Sequence, residues 1–122
     1  MDDNNINRKD IATELEKSIS HIIVEIIEYL PNAVVSKTII KKTTGNITAM
    51  SFAEGEEVGL KTIPFDTFVQ IIDGNAQIII DKKIHNLKLG TGIIIPAHSQ
   101  HCFNANERFK MISTTIKSGY EE

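Results

Sequence analysis

After Pro31 the 122-residue chain breaks into short apolar or β-branched runs at nearly even spacing, each closed by turn residues. The runs cover 34–40, 46–52, 67–72, 76–80, 84–87, 93–95, 102–104 and 109–116. Between them stand Thr44-Gly45-Asn46, Asp73-Gly74-Asn75, Asp81-Lys82-Lys83, Gly90-Thr91-Gly92 and Asn104-Ala105-Asn106. Eight short strands without intervening helices restrict the chain to an antiparallel sandwich or a small barrel. Composition agrees: Ile (22), Val (5) and Thr (10) make 37 of 122 residues, against 5 Leu and 7 Ala. Branching at Cβ suits a pleated, half-covered surface better than a helix. Asp73-Gly74 reads as a tight hairpin, since Gly accepts the positive φ that such turns require.

The first 32 residues follow a different pattern. Residues 1–9 are polar. From Asp10 onward, Ile11, Leu15 and Ile19 recur at helical spacing, which predicts a short amphipathic helix. That helix can continue through Ile22, Ile23, Ile26 and Ile27 to Pro31, or residues 22–27 can form a first strand. The division expected is 1–32 for the polar tail, helix and apolar segment, 33–117 for a barrel and 118–122 for a polar tail.

Charge and cysteine content narrow the function classes. A net charge of −3, with no Lys/Arg stripe, argues against a nucleic-acid binder that works by neutralising phosphates. The single cysteine, Cys102, excludes an internal disulfide and a cysteine zinc cluster. Neither a secretory leader nor a membrane span is visible, so a cytoplasmic protein without a membrane partner is expected.

Two segments resemble the paired motifs of the cupin superfamily. The first runs from Gly55 to Gly74 with Lys61, Ile63 and Thr67 at the marked positions. The second runs from Gly90 through Pro96, His98 and His101 to Ala105. The likeness is closest to small single-domain bacterial cupins with the type-2 conserved barrel. It implies an all-β fold, a double-stranded β-helix or jelly roll, here behind a short N-terminal α-helix. It also implies a homodimer, since small cupins often pair through their sheets. The apolar residues of 22–30 add surface for such pairing.

In a metal cupin the marked positions supply three histidines and a carboxylate. Here the resemblance places Lys61, Ile63, Thr67 and His101 there, so one ligand of four is kept. No cofactor is therefore expected; if one were held, it would be Fe, Mn, Ni or Zn. His98 and His101 are the weak metal candidates, with Gln70 or Asp66 as further donors. Alternation points Lys61, Ile63, Thr67, Val69, His101 and Phe103 inward, and the last strand brings Met111 beneath them. The expected site is one cavity lined by these seven residues, taking a small ligand of unknown identity. Lys61, if enclosed by apolar side chains, becomes a candidate base or Schiff-base nucleophile, or an anion contact. Cys102 alternates away from His101, and His21 and His85 are assigned to the surface or a helix face. The main reading is a binding or regulatory cupin. The alternative is a metal-dependent dioxygenase or isomerase that uses His101 with unconventional ligands.

Overall fold

The computed structural model describes residues 8–119. Ten strands account for most of that span: β1 (Arg8–Ile11), β2 (Val34–Lys42), β3 (Gly45–Phe52), β4 (Glu57–Thr62), β5 (Asp66–Gly74), β6 (Ala76–Ile80), β7 (Lys83–Leu87), β8 (Gly92–Ile95), β9 (Gln100–Asn104) and β10 (Phe109–Ile116). They form two sheets, one of six strands ordered β1-β2-β3-β10-β5-β8 and one of four ordered β4-β9-β6-β7. Every pairing is antiparallel except that of β1 with β2.

Apolar alternation drives the two sheets together. β5 buries Thr67, Val69 and Ile71 and exposes Asp66, Phe68 and Gln70, and β6 buries Ala76, Ile78 and Ile80. Their buried faces meet in one core with Phe52, Phe103, Phe109 and Met111. The Phe52 and Phe109 rings stack with centroids 4.4 Å apart. A smaller core lies on the outer side of the six-stranded sheet, where Ile27, Val35 and Ala49 are covered by Ile26, Leu30 and Ile112.

The expected N-terminal helix is not formed. Asp10 and Ile11 belong to β1, aligned with Ser36 and Lys37 of β2. Beyond them, the Leu15 N–H donates to the Ile39 carbonyl, and the Glu14 carboxylate accepts from the Lys41 N–H at 2.9 Å. Ser18, with φ +67°, interrupts any helix, and Ile19 is exposed. Among the described residues the only helical piece is one 3-10 turn, Ile23–Glu25, so residues 22–27 are no strand either. The physical reason is competition. A short helix rich in β-branched residues is marginal, whereas laid along the sheet this segment completes an edge and covers an apolar face.

Side-chain clips hold that segment. Ser51, fully buried, donates to the Glu28 carbonyl, and the Lys110 ammonium donates to the Val24 carbonyl at 2.6 Å. The Tyr29 hydroxyl donates to Asp73 at 2.6 Å while the Arg108 guanidinium lies over its ring. Burial first, and the bond to Asp73 second, push the Tyr29 hydroxyl well above its ordinary pKa.

Two turns differ from expectation in an instructive way. Gly74 does adopt positive φ (+71°), but β5 and β6 do not pair; they belong to different sheets. A Cβ at Gly74 would collide with the Arg108 carbonyl, so this glycine serves a corner between sheets. The tight hairpin lies instead between β6 and β7, at Asp81 and Lys82, both with positive φ, as a two-residue primed turn requires. β4, which the apolar runs did not mark, is an exposed edge strand whose side chains carry no alternation. Among the described residues no helix is long and apolar enough to cross a membrane.

Candidate functional site

The inner face of the six-stranded sheet changes chemistry along its length. On β3, Met50 and Phe52 sit in the inner core and Ala49 in the outer one, so Thr48 and Asn46 also face inward. On β10 Met111 faces in and Ile112 out, which turns Ser113 and Thr115 inward. On β2 Val34 and Thr38 share the inner side, ahead of an irregularity in the pairing between Thr38 and Ile40. The register sets Thr38, Thr48 and Ser113 side by side across three strands. One step further toward the strand ends lie Asn46, Thr115 and Thr67.

These two tiers are polar, while the interior beside them is mostly apolar, with Ser36 next to Met50 and His85 opposite Ile78 as the exceptions. The Thr67 and Thr115 hydroxyls bond to each other at 3.1 Å. Thr67 is buried, and the other five residues are only half-buried. Among the described residues no fully buried side-chain polar atom lacks a partner. The tier hydroxyls that bond to no protein group therefore stand open to water. The interior is closed at the end of Phe52, Phe103 and Phe109 and hydrated at the end of the threonine tiers.

His101 reaches the hydrated end from the opposite sheet. The loop after Ile95, itself paired with Thr67, returns through Pro96–Ser99 into β9. His101 is 3% exposed, edge-on to Phe103 at 5.7 Å, with Nδ1 at 3.5 Å from the Ser99 carbonyl. We assign the proton to Nδ1, which leaves Nε2 as an acceptor. Burial, and after it the positive charge of Lys61, hold the imidazole below its ordinary pKa, against the opposing effect of the Ser99 carbonyl. His101 is thus neutral at pH 7.

The residues expected to line one cavity divide into two groups. Val69, Phe103 and Met111 belong to the closed apolar core. Lys61, Ile63, Thr67 and His101 lie at the hydrated end. Lys61 is directly opposite His101 in the register, on the same face, yet exposed. It is therefore not enclosed by apolar groups, and the desolvation needed for a nucleophilic lysine is absent. Ile63 is half-buried, and its carbonyl accepts the His98 N–H at 2.7 Å.

His98 is exposed with φ +69°, left-handed backbone that favours glycine. An exposed His98 and a buried His101 do not face a common point. Asp66 instead holds the Ala97 N–H at 2.8 Å, and Gln70 is on the outer face. His85, expected at the surface, is half-buried opposite Ile78 on the inner side of its sheet. His21 is half-buried, with Nε2 at 3.0 Å from the Glu16 carbonyl, in a segment without a helix. Sequence reading missed Thr38, Asn46, Thr48, Ser113 and Thr115. Their only signal was polar residues at the inward phase of strands that begin or end apolar.

No protein-family model matches the sequence, and no curated protein matches it. Solved structures do. A conserved protein of unknown function from Streptococcus pyogenes aligns with 88% of this chain and 94% of its own, at 26% identity and a TM-score of 0.81. A cupin superfamily protein from Desulfitobacterium hafniense shares 29% identity over 85% of this chain and 95% of its own, with a TM-score of 0.79. A cupin 2 conserved barrel domain protein from Leptotrichia buccalis shares 33% identity over 77% of this chain, with a TM-score of 0.75. The chain has the fold of the cupins and resembles small cupin proteins. It spans 46% of the Leptotrichia protein, so that relative contains much that this chain does not align with.

The side chains at the marked positions are a poor donor set for a resident transition metal. At the marked positions one imidazole nitrogen, one neutral hydroxyl, one ammonium and one hydrocarbon meet, whereas such ions take several nitrogen, sulfur or carboxylate donors. Among the described residues no three His, Cys, Asp or Glu side chains are grouped as metal donors. A charged Lys61 opposite His101 would in addition repel a divalent cation.

Proposed function

We propose that this protein is a cupin-type binding module, a jelly-roll barrel whose water-accessible mouth holds a small organic molecule without a transition metal. One observation supports the reading above others: the interior is sealed by apolar packing at one end and lined by water-accessible hydroxyls at the other. A mostly apolar enclosure with a few convergent polar groups is the usual composition of a small-molecule site. Neutral His101 contributes an acceptor and exposed Lys61 a cation. Acid–base catalysis requires an oriented imidazole and nucleophilic catalysis a desolvated amine, whereas among the described residues no carboxylate bonds to His101, and Lys61 is exposed.

The test is thermal unfolding of the protein with Mn²⁺, Zn²⁺ or EDTA and with a library of small organic molecules. Expected is a melting temperature indifferent to metals and chelator and raised by at least one organic compound, as binding to the folded state alone requires. A stoichiometric ion whose removal lowers the melting temperature would overturn the reading and favour a metal-dependent cupin enzyme built on His101.

A further inference from the structure

Resting on the reading of the mouth as a binding site, we infer that its ligand is an anionic polyol. This is a small molecule carrying several hydroxyls and one carboxylate or phosphate. Its hydroxyl-bearing body lies against the two polar tiers, and its charged end lies at a lysine-bearing lip.

The tiers decide the body. Thr38, Thr48 and Ser113 in one row, and Asn46, Thr115 and Thr67 in the next, offer hydroxyls and an amide that both donate and accept. An apolar guest would displace their water and leave each group unmatched, at a cost of about 1–3 kcal/mol apiece. A guest with hydroxyls of its own exchanges those bonds instead. The Nε2 acceptor of neutral His101, on the facing sheet, suits a ligand hydroxyl for the same reason.

The lip decides the charge. The β2–β3 turn sits just above the Asn46–Thr115 pair, and Lys41, Lys42 and Lys117 line an open depression there together with Thr43 and Thr44. Lys61 stands on the facing sheet, and Lys82 forms part of the β6–β7 turn at the same end. Three carboxylates share this end with five lysines: Asp66 accepts from the Ala97 N–H, Asp81 from the Gln100 N–H at 2.9 Å, and Glu14 from the Lys41 N–H at 2.9 Å while lying 3.7 Å from the Lys17 ammonium. The bond from Lys41 first, and the charges of Lys17 and Lys42 after it, hold Glu14 below its ordinary pKa. At the opposite end the sign reverses: Glu54, Glu56 and Glu57 line a depression with Asn104 and Asn106. In a chain of net charge −3, a mouth ringed by lysines is a local field for anions, not a consequence of composition.

The experiment is calorimetric titration with a panel of three- to six-carbon polyol phosphates and aldonates, their uncharged parent polyols, inorganic phosphate and benzoate. The His101 ring resonances report the site. Expected is at least one charged polyol that shifts the His101 signals. Its neutral parent, inorganic phosphate and benzoate should each bind at least about tenfold more weakly, a difference of about 1.4 kcal/mol. Raising salt should weaken the charged polyol, and so should Lys61→Gln, a substitution at an exposed residue that leaves the core intact. Thr48→Val, of equal volume, should weaken it without moving the charge. The inference is overturned if no charged polyol binds, if neutral polyols or benzoate bind as tightly, or if Lys61→Gln changes nothing. Binding of benzoate or a neutral polyol at His101 would leave the organic-ligand reading standing and remove only this one, whereas a metal at His101 would remove both.

Discussion

His101 shows how much one buried side chain constrains. Its imidazole is 3% exposed and held neutral, with burial as the main cause. In the unfolded chain the same ring takes up a proton near its ordinary pKa of about 6.5. The folded state therefore binds fewer protons as pH falls through that value, and stability present at neutral pH is lost on acidification. His101→Gln should flatten the pH dependence of the urea midpoint between pH 7 and 5; an unchanged slope would show that His101 is not the responsible group. His98 makes the opposite case. It occupies left-handed backbone with its side chain in solvent, where a residue other than glycine costs about 1 kcal/mol. His98→Gly should leave stability unchanged or raise it, read from the same urea midpoints. Tyr29→Phe removes a bond to a part-buried carboxylate and should cost about 1.5–3 kcal/mol.

At the scale of elements, the N-terminal segment carries the most instruction. Its helical spacing was genuine but short, and the free edge of β2 together with the apolar outer face of the sheet claimed it. Nothing local to residues 10–19 announces that claim, because the competing partners, Ile39 and Lys41, lie more than twenty positions away in sequence. Strand β4 escaped reading for a different reason. As an exposed edge strand it covers only Val58, and that in part, so Glu57-Val58-Gly59-Leu60-Lys61-Thr62 shows no alternation to detect. Strands with one covered face were legible, since burial imposes period two on them. Gly74 lies between these cases: its positive φ was readable, its role as a corner between sheets was not. Gly74→Ala should cost more than the about 1–2 kcal/mol of its backbone conformation alone, because Arg108 stands in the way. Ile27→Ala, on the side of the segment that meets the sheet, should cost about 2–5 kcal/mol. Equilibrium unfolding measures both.

For the whole molecule, the divided interior and the apolar surface each lead to an expectation. Ile26, Ile27 and Leu30 cover the chain's own sheet and are not spare surface for a partner, as the sequence suggested. Exposure falls instead on Ile22, Ile23, Phe68, Leu89 and Ile94, with Phe68 and Ile94 paired beside the free edge of β8. Apolar groups gathered this way favour association, and sedimentation at high micromolar concentration should show twice the 13.6 kDa chain mass; a lone 13.6 kDa species would contradict pairing. The candidate site was half legible. Motif spacing located His101, Lys61 and Thr67, but the hydroxyl tiers required the register of β2, β3 and β10, which no spacing along one strand reveals.

Whether an organic guest or a metal belongs beside His101 is settled most directly by diffraction at the Mn and Zn absorption edges, from crystals soaked in those ions. Expected is no anomalous peak at His101, and water or organic density against the threonine tiers. An ordered ion about 2.0–2.2 Å from a His101 nitrogen, with at least two further protein ligands, would contradict the account.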